Sequence, residues 1–155
     1  MSITQEQLVH EIMEILDETF ETHHGIYLDK GTSLFQTLAE IDHEQASRPV
    51  GTGCASLAAQ VAHITFYLEV LERYIVAGDT SKADWNAIWR SVGAVTASEW
   101  AGFRSQLELT YRRVVAELRA STTWAADPHL ASALAITVHT AYHLGEIRQA
   151  LCTLR

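Results

Sequence analysis

Leu57, Val61, Ile64, Leu68, Leu71 and Ile75 follow one another in alternating steps of four and three. That is the period of an α-helix with one face held against neighbours; a strand, whose side chains alternate every second residue, cannot bury it. The surrounding stretch, 54–76, contains no Pro and no Gly, and Gly78 is a natural stop. A lone helix with such a seam is marginal in water, so the seam demands partners.

The chain supplies three. Residues 4–24 place Leu8, Ile12, Ile15, Leu16, Thr19 and Phe20 on one side, while Glu11, Glu14, Asp17, Glu18 and Glu21 largely fill the rest. Thr4 with Gln7 forms a capping box at their start, and Gly25 marks their end. His23 and His24 at that end either complement the helix C-terminus or face a site there. Residues 97–120 carry Phe103, Leu107, Tyr111, Val114, Val115 and Leu118, with Ser98 as the expected cap. Asp127 followed by Pro128 reads as an N-cap and first helical position for the last helix. Four long helices without a convincing strand predict an all-α fold, a four-helix bundle forming one domain over residues 1–155. The first and second helices are joined by a long connection, 26–53, with one short helix. Its signals are a Ser33–Gln36 capping box and apolar Leu34, Phe35, Leu38 and Ile41.

Composition narrows the function. Nineteen acidic residues against eleven basic give a formal charge of −8. The closest Arg pair, Arg112–Arg113, sits in a helical pattern among apolar residues, so nucleic acid is not the expected partner. The start is polar, and no apolar run is long enough to span a bilayer, so neither a secretory signal nor a membrane segment is expected. Cys54 and Cys152 do not make a disulfide framework; reduced thiols in a cytoplasmic protein are the expectation.

The chemistry-bearing residues lie in the second and last helices. His139 and His143 are one helical turn apart and project from the same face, a spacing that lets two neutral imidazoles grip one divalent metal. They fall in an apolar stripe with Ile136, Ile147, Ala150 and Leu154. A second stripe, Leu130, Leu134, Val138, Ala141 and Gly145, predicts that much of this helix is buried. Buried histidines can equally be satisfied by hydrogen bonds alone. His63, flanked by Ala62 and Ile64 and off the main seam, is either a core histidine or a third ligand. Trp85 and Trp89, one turn apart after Gly78, either pack over an open core edge or wall a ligand pocket.

Taken together, His63 in Val-Ala-His-Ile-Thr-Phe-Tyr, and His139 and His143 in Val-His-Thr-Ala-Tyr-His-Leu-Gly-Glu-Ile, resemble the DinB-like (DinB/YfiT) superfamily, and the likeness covers nearly the whole chain. Many members carry Gln where this chain has Glu146. The resemblance implies a three-histidine site, His63, His139 and His143, holding nickel or zinc, commonly in a homodimer. It also implies chemistry on small molecules: transfer of a low-molecular-weight thiol in some relatives, hydrolysis or isomerisation in others.

Cys54 and Cys152 each lie nine residues from the nearest of these histidines, about 13.5 Å along a helix, and His129 is farther still from His139; none is expected to be a ligand. Glu146, one turn beyond His143, is a candidate second-layer acceptor or proton carrier, or else a solvated surface residue. Three imidazoles leave a coordination position open, as in catalytic sites. With what the resemblance implies, metal-dependent thiol transfer is the leading expectation. Metal-dependent hydrolysis and a noncatalytic metal- or ligand-binding stress-response protein are the alternatives.

Overall fold

The computed structural model describes residues 2–122, 124 and 129–154. Among them the protein is all-helical, with α1 (Gln5–Phe20), α2 (Leu34–Ala39), α3 (His43–Ser47), α4 (Leu57–Ala77), α5 (Trp85–Ser91), α6 (Ala97–Ala120) and α7 (His129–Leu154). Helix α4 packs on α6 and α7, and α1 packs on α7. Aromatic rings join α1 to α6: Phe20 of α1 stacks on Tyr111 of α6 at 4.3 Å between centroids, and Phe35 of α2 meets both. One buried cluster draws on all four long helices, through Leu16 and Phe20, Ile64 and Leu68, Leu107 and Leu118, and Ile136 and Ile147. No helix among the described residues is long and apolar enough to cross a membrane.

The seams sit where their periods place them. Leu57, Val61, Ile64 and Leu68 are at most 1% exposed, as are Leu107, Val114 and Leu118 of α6. Several local details differ. Helix α1 has the expected Thr4–Gln7 capping box but ends at Phe20, four residues before the expected boundary. The reason is Glu18, assigned to the polar side of the sequence pattern but fully buried in the fold. Its carboxylate accepts from the backbone N–H groups of Gly25 (3.2 Å), Ile26 (2.9 Å) and Leu28 (3.1 Å), turning the chain back over the helix end. Burial alone would raise this carboxyl. The backbone donors outweigh it and hold the group below its ordinary value. Gly25, at φ +80°, is part of that turn rather than the helix stop.

The connection before α4 holds two short helices instead of one. The second, α3, has its own capping box at Asp42 and Gln45. Ser33 precedes α2 without a side-chain cap; its hydroxyl donates instead to the Glu21 carbonyl at 2.8 Å. Helix α6 is capped by Thr96, not Ser98, with Glu99 completing the box, because the apolar face brings Trp100 inward one turn after Thr96. Arg112 and Arg113 lie within α6 as expected, exposed and paired with Glu108 and Glu72. The proposed start of α7 at Asp127 and Pro128 lies outside the described residues. The second stripe of α7 is largely not buried: Leu134 is 47% exposed and Val138 68%, and Gly145 also faces solvent. A helix apolar on every side does not declare which stripe meets the core.

Candidate metal centre

Ser56 caps α4, its hydroxyl accepting from the Ala59 N–H at 3.2 Å, so Cys54 lies outside the helix and His63 comes in its second turn. Because α4 packs against α7, His63 is brought against His139 and His143. One ring nitrogen from each of the three lies within 4.8 Å of the others. The ring centroids are 5.0, 4.9 and 4.5 Å apart, and His63 and His143 are 7% and 5% exposed. No other group of three His, Cys, Asp or Glu able to share an ion occurs among the described residues. His24 is engaged elsewhere, with Nε2 2.6 Å from the Asp17 carboxylate and Nδ1 3.6 Å from Glu14. Cys54 and Cys152 are free and exposed.

The electrostatics favour neutral rings. Burial pushes His63 and His139 down to about 4, and the neighbouring His143 adds to the effect, with Glu146 opposing it. Burial also lowers His143, against the opposing pull of Glu146. Neutral imidazoles are the form that binds a metal.

The nitrogens themselves test the fit. His63 Nε2 and His139 Nε2 face each other at 3.1 Å. Two nitrogens bound tetrahedrally to one ion at ordinary lengths lie about 3.3 Å apart, so this pair is already near a ligand–ligand edge. Without an ion, only one proton can sit between the two Nε2 atoms. The Nδ1 atoms of both rings are buried with no protein partner. His143 differs: its Nδ1 is 2.6 Å from Gln60 Oε1 and 3.0 Å from Glu146 Oε2. Both are acceptors, so the ring proton is on Nδ1 and the Nε2 lone pair is free for an ion. Gln60 Nε2 also donates to Glu146 Oε2 at 3.1 Å, closing the network behind the ring. The donor set fits a divalent transition ion, with Gln60 and Glu146 as the outer layer that orients one ligand.

Aromatic rings wall the cluster. Trp89 stacks on His63 at 4.3 Å, and Tyr67 stacks on His139 at 3.7 Å, nearly parallel. Trp85 reaches His63, Phe66 and Tyr67 edge-on or tilted. The two tryptophans therefore cover the histidines, and Trp89 also lines a cavity. That cavity, about 860 Å³ and open to solvent, is bordered by Cys54, Gln60, Trp89, Tyr142, His143 and Glu146. Glu146 is thus not merely a solvated surface group: it is hydrogen-bonded to a cluster histidine and borders the cavity.

Sequence reasoning missed Gln60, Tyr67 and Tyr142. Gln60 left one signal, a polar side chain one turn before His63 in a helix otherwise apolar from Leu57 to Ile64. Comparisons of the chain with protein-family models, curated proteins and solved structures found no match.

Proposed function

We propose that the protein is a metal-dependent enzyme of the DinB-like type, a four-helix bundle that binds nickel or zinc through His63, His139 and His143. The observation that carries this reading is the convergence of three imidazoles, kept neutral by burial, with two Nε2 atoms 3.1 Å apart and the third ring oriented from behind by Gln60 and Glu146. The bundle reading is supported by the ring of contacts α1–α7–α4–α6, closed by Phe20 on Tyr111.

The reaction we favour is transfer of a low-molecular-weight thiol to an electrophilic small molecule. A bound divalent ion would supply the positive charge that lowers the pKa of a coordinated thiol toward neutrality. The protein's own groups do the rest. Trp89 and Tyr67 exclude water from the rings they stack on, and the cavity beside His143 gives the second reactant its approach. Glu146 holds the His143 proton at Nδ1 and, at the cavity wall, is placed to take a proton from a reactant. The active form we propose is a homodimer.

The test is elemental mass spectrometry on tag-free protein purified without nickel resin, beside His63→Ala and His143→Ala. The expected result is about one equivalent of transition metal in the wild type, lost in both variants, followed by thiol-dependent turnover with the loaded protein. Turnover without added thiol would redirect the reaction to hydrolysis. Absence of metal, with no uptake of added nickel or zinc, would reduce the histidines to core residues.

A further inference from the structure

The cavity at His143 is chemically lopsided. Trp89, Tyr142, Val50 and Ala150 give it aromatic and aliphatic walls, while Gln60 and Gln149 supply neutral amides. Among the described residues lining it, Glu146 is the one carboxylate, and none is Lys or Arg. Arg90, on the helix that carries Trp89, points its guanidinium at Asp84, 3.0 Å away. An acidic ligand entering the cavity would therefore lose water and meet a carboxylate without any side-chain cation to replace its hydration.

From this lining we infer that the cavity binds an aromatic-bodied small molecule and that, with the metal centre empty, Glu146 makes it favour an uncharged ligand over its carboxylated analogue. This names the class of the second reactant at the centre proposed above, and so rests on that reading. The ring of the ligand would lie against Trp89 and Tyr142, whose faces and edges favour stacked or edge-on aromatic partners. Its polar substituent would find the Gln149 amide, which can donate or accept. The volume suits a ligand of one or two fused rings with substituents.

The experiment is equilibrium dialysis of the full chain with 2-naphthamide and 2-naphthoate, two probes of one shape that differ in charge. It is run on protein stripped by chelator. In stripped protein the amide is expected to bind at least tenfold more tightly than the acid. Glu146→Gln should bring the two within about threefold, and Trp89→Ala should weaken both. Equal or tighter binding of the naphthoate in the stripped wild type, or no binding of either probe, overturns the inference. So does a preference that survives Glu146→Gln unchanged in a variant that keeps wild-type circular dichroism. The measurement needs no metal, so a failure here leaves the metal reading standing, and a metal-free protein would leave this result standing.

Discussion

Gln60 does two things with one side chain. Its carbonyl accepts a hydrogen bond from His143 Nδ1–H, and its amide steadies the Glu146 carboxylate that accepts from the same N–H. His63 and His139 have no such support, since their Nδ1 atoms meet no protein partner. The orientation of the cluster is therefore concentrated at His143. Gln60→Ala is expected to lower metal affinity about 10- to 100-fold while leaving the fold intact, read by competition with a chromophoric chelator. Gln60→Glu should not restore it, because the new carboxylate keeps an acceptor for Nδ1 but replaces the donor to Glu146 with a like charge. An unchanged affinity in Gln60→Ala would show that Glu146 suffices. That this residue was not legible in the sequence has a plain cause. A single polar side chain in an apolar helix looks the same whether it meets solvent or a histidine, and its partner lies 83 residues away. The three histidines themselves were legible only jointly. His139 and His143 announce a common face by spacing, whereas His63 was singled out by the family resemblance and is brought to them by the packing of α4 on α7.

At the scale of elements, periodicity was informative where a helix has one dry side. The seam from Leu57 to Leu68 and the face from Leu107 to Leu118 are buried as their steps of three and four require. It was uninformative for α7, where residues 129–145 carry no Lys, Arg, Asp or Glu, so Leu134 and Val138 could not be told from core. Helix ends obey local chemistry, and α6 shows the competition. Thr96 and Ser98 are both plausible caps, but only Thr96 makes the bond, accepting from the Glu99 N–H at 3.3 Å while Glu99 accepts from the Thr96 N–H at 2.7 Å. Thr96→Ala is expected to cost about 1 kcal/mol in urea unfolding, and Ser98→Ala close to nothing. The reverse ranking would move the helix start.

For the whole molecule, the cluster links stability to protons and, on the proposed reading, to metal. His63 and His139 have an ordinary value of 6.5 and are held near 4 when folded. Above pH 6.5 neither the folded nor the unfolded chain binds these protons, and their effect is nil. As pH falls from 6.5 toward 4 the unfolded chain takes them up first, so metal-free protein loses stability across that window. The expected observation is a melting temperature that drops more steeply between pH 6.5 and 5 in stripped wild type than in the double variant His63→Leu, His139→Leu. Equal slopes would mean that the rings protonate freely in the folded state. Added metal should oppose the loss, raising the melting temperature with concentration as any ligand of the folded state does.

The turn at the end of α1 has its own consequence. The Glu18 carboxylate holds residues 25–28 by their main-chain N–H groups alone. Every residue type except one offers that group, so this part of the anchor does not depend on side-chain identity, while Tyr27, whose hydroxyl lies 2.6 Å from Thr19 Oγ1, and Leu28, packed against the core, add ties of their own. Ile26→Ala should therefore leave melting almost unmoved, Ile26 being already exposed, while Ile26→Pro should lower it by several degrees. The Glu18 anchor itself is an address written in backbone, indifferent to spelling at Ile26 and closed to proline there.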